Sequence, residues 1–362
     1  MGEGAHGVGA VGRTAGYFED LRSRILEAGR RRGFIERQYA IGRKSVQFRF
    51  VGSTLLAPLT RALAHLDSDS TGEPALTVYL AAGDEVELPP SPWELPRSGS
   101  PVGSDEETRS AVHLRDDRVE GLLEVDHGAI SLFDTTSSVG LFWAVSSERL
   151  AYYERGAPLR AIFYWWGLRH GWHMAHAGAV GTDRGGVLLV GKGGSGKSTA
   201  ALACLGAGLD YLGDNDVMIE AEPAPFAHGL YCSAKLEAGH LRRALPHLAS
   251  LLATTGPWNG GKGLFYVDHG AGHGLSAGFP LRAVLLPRVT GAPRTVITRV
   301  SGAQGLLALA PSTLFQLPGA RQERLSHLAR VLKRVPTYTL ELGTNLDTIA
   351  PAILGLLAHE SG

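Results

Sequence analysis

The apolar run Gly186-Val187-Leu188-Leu189-Val190 passes directly into Gly191-Lys192-Gly193-Gly194-Ser195-Gly196-Lys197-Ser198-Thr199, and no other feature restricts the fold of this chain as tightly. The segment satisfies GxxxxGK[ST] in full, the phosphate-loop (Walker A) pattern. A strand-length run before it and residues 200–206, of helical propensity, after it predict a strand–loop–helix unit in an α/β layer. The glycines let the backbone wrap until several N–H groups point inward at phosphate oxygens. Lys197 then places its charge on the β- and γ-phosphates, Ser198 offers a hydroxyl to Mg²⁺, and the following helix adds the positive end of its dipole. Residues Gly191 to Thr199 are therefore the expected nucleotide-binding residues, with ATP and Mg²⁺ as ligands.

A phosphate loop does not by itself name a reaction, and the carboxylates that follow it discriminate. Motor and transporter ATPases carry a second apolar strand that ends in Asp. Here the run at 283–286 ends in Pro287-Arg288, which speaks against them. Residues 209–213 lead instead into Asp214-Asn215-Asp216. Between Lys197 and Asp214 there is room for a helix, a turn and a short strand, which return Asp214 to the nucleotide end of the sheet. A carboxylate there accepts a hydroxyl proton during phosphoryl transfer or holds the metal. The alternative is a strand-end turn, where Asp and Asn are common for conformational reasons.

The 362 residues, at roughly 150 per domain, read as two domains. Lys+Arg and Asp+Glu are both 35, so the formal net charge is zero, and no nucleic-acid partner held by bulk charge is expected. Hydrophobic residues at 44% against 19% charged supply a large core. The two cysteines, Cys204 and Cys232, are expected as reduced thiols. The N-terminus has neither a basic start nor an apolar stretch of signal-peptide type, and His6 breaks the myristoylation pattern. No apolar stretch approaches the ~20 residues of a bilayer span, so a cytoplasmic protein with no membrane partner is expected.

Along the chain, residues 1–16 read as a disordered tail, 17–150 as a small α+β domain, and 151–362 as the nucleotide-binding domain. The first domain is expected to contain a basic amphipathic helix over 17–38, strands at 46–51 and 75–81, helix at 53–67, a loop at 88–108, and strands at 120–125, 128–133 and 140–145. In the second, 161–176 reads as a helix carrying Trp165, Trp166 and Trp172. Strands are expected at 283–287 and 295–300, helices at 239–253, 322–332 and 346–358, and a Gly-rich loop or lid at 254–280.

The segment 176–220 resembles the kinase core of HPr kinase/phosphorylase and the HPr-kinase-like proteins. That family has a His ahead of the phosphate loop, at the separation His176 keeps from Gly191. It also has an Asp-Asp pair after the loop, beginning at the separation Asp214 keeps from Lys197. Residues 285–288, 311–319 and 341–349 look like parts of bacterial HPr-kinase-like proteins of unassigned substrate. The resemblance implies an α/β chain whose C-terminal domain is a phosphoenolpyruvate-carboxykinase-like P-loop kinase domain, preceded by a smaller α+β domain. It implies an ATP-dependent kinase that transfers the γ-phosphoryl group to a serine hydroxyl of a protein or peptide. Asp214 is then the general base and His176 and Lys197 its catalytic companions, with Ser198, Asn215 and Asp216 at the metal. Asn215 departs from the family's second Asp, and an amide binds Mg²⁺ less strongly than a carboxylate. The acidic, Arg-Gly-containing segment that recognises HPr has no counterpart in 220–240, so HPr is not the expected acceptor. The hexamers of the HPr kinases make a homo-oligomer a further implication. Two other readings stay open: a P-loop kinase of a small hydroxyl metabolite, and a nucleotide-binding regulatory protein without transfer activity.

Three further groups are singled out. His176 would lie near the phosphates or tune Asp214, or be an ordinary hydrogen-bonded histidine. His170, His173 and His176 recur at every third position without an HExxH pattern, so zinc is not expected. Lys235 and Arg288 break apolar runs and would reach phosphate, or lie as surface cations with buried stems.

Overall fold

A computed structural model describes residues 12–93, 111–246, 252–257, 262–267, 274–314 and 321–360. The chain forms two compact units, residues 1–61 with 67–169, and 62–66 with 170–362. Both mix helices with sheets, as an α/β chain should.

The first unit contains α1 (Arg13–Arg32), β1 (Phe34–Ile41), β2 (Lys44–Val51), α2 (Leu56–Thr60), β3 (Leu76–Ala82), β4 (Ala111–Arg115), β5 (Val119–Glu124), β6 (Ala129–Asp134), β7 (Val139–Ala144), α3 (Tyr152–Gly156) and α4 (Arg160–Arg169). Its seven strands are ordered β1-β2-β3-β7-β6-β5-β4. Helix α1 lays Tyr17, Phe18, Leu21 and Ile25 on Tyr79, Ala81, Leu132 and Leu141 of one sheet face. Helix α4 is buried along nearly its whole length; Phe163 packs on Phe48, and Trp166 donates to the Ala75 carbonyl at 3.1 Å.

Several expectations need correction here. Helix α1 begins at Arg13, inside the stretch read as a tail; residues 1–11 of that stretch lie outside the described residues. The helix expected to reach 38 stops at Gly33, whose N–H closes onto Gly29 O with φ +82, and 34–41 becomes strand β1. The expected boundary at 150/151 gives way to one at 169/170, because α4 packs onto the first sheet. Most of the loop expected at 88–108 falls outside the described residues.

The second unit contains β8 (Trp172–Thr182), β9 (Gly185–Val190), α5 (Lys197–Gly206), β10 (Asp210–Gly213), β11 (Asp216–Glu220), β12 (Phe226–His228), β13 (Ser233–Glu237), α6 (Ala238–Ala244), β14 (Leu252–Pro257), β15 (Lys262–Val267), β16 (Gly278–Val289), β17 (Val296–Val300), α7 (Gly302–Leu314), α8 (Arg321–Arg334), β18 (Thr337–Leu342) and α9 (Ile349–Glu360). Strands β9, β16 and β18 run parallel, and β8 lies antiparallel on the other side of β9. Val187 and Leu189 of β9 join a core with Ala200–Leu205 of α5 and Ile349, Ile353 and Leu357 of α9. Leu188 and Val190 face the opposite core, with Leu309 of α7 and Leu328 and Val331 of α8. The central sheet is thus buried on both faces, which explains why its strands read as continuous apolar runs.

The expected helix over 161–176 ends at Arg169: Gly171 turns with φ +70, and Trp172 and His176 belong to β8. The segment read as a loop at 254–280 holds β15, much of β14 and the start of β16; β13, β15 and β14 form their own three-stranded sheet. Residues 252–253, expected at the end of a helix, belong to β14.

Candidate functional site

The phosphate loop leaves β9 at the carboxyl ends of the three parallel strands, the position where open α/β sheets place their ligands. Gly194 and Gly196 adopt φ of +78 and +100, conformations L side chains rarely take. A Cβ on Gly196 would come within 2.4 Å of Leu342 Cδ1, so the loop seats α5 against the end of β18 through this glycine. Lys197 is buried, and its ammonium donates to the carbonyls of Gly191 at 2.6 Å and Lys192 at 3.2 Å. Burial lowers its pKa; the Asp214 charge works the other way, and Lys262 adds to the lowering.

Asp214 reaches this loop through a β-bulge. Tyr211 pairs with Val180 but Gly213 pairs with Ala179, so one extra residue enters β10. Tyr211 belongs to the α5 core, whereas Leu212 and, further on, Val217 and Ile219 belong to the α7–α8 core. Gly213 thereby sits opposite Ala179, which faces the α7–α8 core, and Asp214, next in the bend, has the Ser198 hydroxyl and the Lys197 charge beside it. Level with it, Ala177 donates its N–H to Asn215 O at 3.1 Å and pairs on its other side with Val190, the last residue before the loop.

Asp214 is 2% exposed. The Lys235 main-chain N–H donates to its Oδ2 at 3.2 Å, and Oδ1 has no hydrogen-bond partner among the described residues. Burial raises the carboxyl pKa; the Ser198 hydroxyl, the Lys235 N–H and the charges of Lys197 and Lys235 partly offset this. A carboxylate with one oxygen fixed and one buried without a partner, beside a hydroxyl and an ammonium, has a free acceptor for a proton or a hard cation.

The structure therefore brings Lys197, Ser198 and Asp214 together, with Lys235 beside them. His176 sits elsewhere on the row: it is the cross-strand partner of Asp216, and its main-chain N–H donates to Thr313 Oγ1 at 3.2 Å. Because Ala175 and Ala177 face the α7–α8 core, His176 and Asp216 share the opposite face. Asn215 lies between the two acidic residues, half-buried, with its carbonyl in the ladder. Arg288 is exposed near the end of β16.

Two groups escaped the sequence reading. His240 of α6 lies 3.1 Å from Thr199 Oγ1 through Nε2, and Lys262 of β15 acts on Lys197. Neither has a local signature: Lys262 is placed by the pairing of β13 with the distant β15, and His240 by the helix that directly follows β13. His173 stacks on His327 at 3.9 Å, and burial pushes its pKa down to about 3. Among the described residues no group of three His, Cys, Asp or Glu is arranged to hold a metal, and no helix is long and apolar enough to cross a membrane. Cys204 and Cys232 are both buried and unbridged.

No family model matches the chain, and no curated protein matches it.

Proposed function

We propose that the second unit is a nucleotide-dependent phosphotransferase of the HPr-kinase-like, phosphoenolpyruvate-carboxykinase-related type, moving the γ-phosphoryl group of ATP to a hydroxyl. The observation that carries this reading is the bulge that turns Asp214 toward Lys197 and Ser198 while leaving Oδ1 open. The preferred acceptor is a protein or peptide serine, on the strength of the resemblance of 176–220 to that family.

In this reading Lys197 and the loop amides bind the β- and γ-phosphates. Asp214 Oδ1 accepts the acceptor's hydroxyl proton as its oxygen bonds to the γ-phosphorus and the bond to the β-phosphate oxygen breaks, releasing ADP. Lys235 holds the other carboxylate oxygen, so Asp214 meets the acceptor in one orientation.

The donors available suit Mg²⁺. Ser198 Oγ, the Asn215 amide oxygen and Asp216 are hard oxygen donors, and Mg²⁺ takes one or two carboxylates plus substrate phosphates rather than an all-protein cage. Bound there, it would neutralise charge developing on the phosphates.

The test is calorimetry of ATP binding to wild type and Lys197→Ala, with and without Mg²⁺. Mg²⁺-dependent binding that the variant loses supports the reading. Absence of binding to wild type ends it.

A further inference from the structure

Helix α5 begins without a side-chain cap. Gly196 stands at its N-cap position, so the N–H groups of Gly196, Lys197, Ser198 and Thr199 are those the helix itself leaves unsatisfied. These are the donors a phosphate loop turns toward an anion. Three elements hold this turn. Leu342 of β18 crowds Gly196, Asp214 lies beside the Ser198 hydroxyl, and His240 of α6 meets Thr199, Nε2 to Oγ1 at 3.1 Å.

Packing on both sides of His240 fixes the third contact. Ala234 and Leu236 of β13 and Leu245, just past α6, are buried in the core that α5 shares. The Lys235 N–H also ties β13 to Asp214. Helix α6 is therefore anchored before and after His240. His240 and Thr199 are both half-buried, and among the described residues the His240 ring makes no ion pair.

A hydroxyl donates one hydrogen bond and accepts two, and a neutral imidazole donates from one nitrogen and accepts at the other. The contact therefore has two polarities. If Thr199 donates to Nε2, its hydrogen is committed to the histidine and only lone pairs remain for a phosphate, which repels them. If Nε2–H donates to Oγ1, the Thr199 hydrogen is free for a phosphate oxygen, and the two hydrogen bonds polarise one another. An anion at the N-terminus of α5 selects the second arrangement.

We propose that His240 is a positioning residue for the nucleotide: its Nε2–H donates to Thr199 Oγ1 and so directs the Thr199 hydroxyl onto a phosphate oxygen. The inference rests on the phosphate-binding reading above and deepens it by assigning a residue of α6 that acts through Thr199.

Full-chain wild type, His240→Leu, His240→Gln, Thr199→Val and the double variant His240→Leu with Thr199→Val are titrated calorimetrically with ADP in Mg²⁺. His240→Leu should weaken ADP binding about fivefold, the net worth of one hydrogen bond. His240→Gln restores an N–H donor near the Nε2 position and should bind within about twofold of wild type. In the Thr199→Val background, His240→Leu should cost less than about twofold more, because the hydroxyl it directs is gone. A general loosening of α6 would weaken binding in either background. A His240→Leu protein that binds as wild type does, a Gln variant as weak as the Leu variant, or losses that multiply in the double variant each overturn the assignment while leaving the phosphate site standing. A wild type that binds no ADP removes the site and this inference together.

Discussion

The Lys235 main-chain N–H donates to Asp214 Oδ2 at 3.2 Å, while Oδ1 of the same buried carboxylate has no partner among the described residues. A buried acceptor without a partner costs roughly 1–3 kcal/mol, and a charged one more. A core does not retain such a group for stability. One oxygen held by a main-chain N–H and one buried without a partner is the arrangement behind the proposed role of Asp214.

Asp214→Asn separates chemistry from binding. The amide keeps an oxygen for the Lys235 N–H but cannot take a proton, so transfer should fall by about 10²–10⁴ while ATP affinity changes little. Burial raises the Asp214 pKa, so between the ordinary Asp value and the raised one the folded state binds more proton than the unfolded chain does. Stability contributed here is therefore lost as pH rises from the ordinary Asp value through the raised one. The variant should melt at a higher temperature than wild type at pH 7, and the gap should close toward pH 4. Equal loss of ATP binding and transfer would remove Asp214 from the role of base.

If Mg²⁺ binds with the nucleotide as proposed, Asp216 and Asn215 are the two candidates to hold it. Asp216, cross-strand from His176, lies on the sheet face opposite the α7–α8 core, and Asn215 precedes it with its carbonyl bonded to the Ala177 N–H. Asp216→Asn should raise the Mg²⁺ concentration for half-maximal nucleotide binding several-fold, whereas Asn215→Asp should move it less than about twofold. A magnesium titration of both variants decides; the opposite ranking would put the metal on Asn215.

Gly196 and Gly193 make a matched pair within the loop. Gly196 has φ +100, and a Cβ would collide with Leu342 Cδ1, whereas a Cβ on Gly193 would meet nothing within 4 Å. Gly196→Ala should therefore cost about 1–2 kcal/mol of stability from the left-handed backbone alone, and more from displacing α5 against β18. It should weaken nucleotide binding as well. Gly193→Ala should lose less than about 0.5 kcal/mol. Urea melts beside nucleotide titrations read both quantities, and equal losses would show that Gly196 has no special place.

What was legible in the sequence is what local pattern determines. The strand–loop–helix from β9 to α5 and the return to Asp214 needed only periodicity and spacing. The face that Asp214 occupies was not legible, because it depends on a one-residue slip against β8, and β8 itself read as the end of a helix. Gly171 was the available signal for that break. Strands β14 and β15 were hidden by glycines that interrupt alternation, and their stability comes from pairing within the small sheet rather than from propensity. Lys262 was hidden with them, and His240 had no local signature. Residues 34–38 of β1 read as the end of a helix because the stop at Gly33 depends on its φ of +82 and its N–H bond to Gly29 O, which residue type alone does not announce.

The first unit carries its own pH dependence. Glu154 of α3 is buried, and its Oε1 accepts the Leu159 N–H at 2.6 Å; Leu159 itself has φ +57. Glu124 of β5, also buried, accepts from the Tyr153 hydroxyl. Burial pushes the Glu154 carboxyl well above the usual range, and the nearby Glu124 charge pushes it further. The folded unit thus keeps a proton on Glu154 at pH values where the unfolded chain has lost it. Above the ordinary Glu value, stability declines as pH rises until the raised pKa is passed. Glu154→Gln retains the oxygen that accepts from Leu159 and cannot ionise. Its Tm should lie close to that of wild type near pH 4 and exceed it by a growing margin toward pH 9. Circular-dichroism melts across that range make the measurement. A variant that melts below wild type at every pH would mean that the charged carboxylate, held by Arg160, is the form the fold prefers.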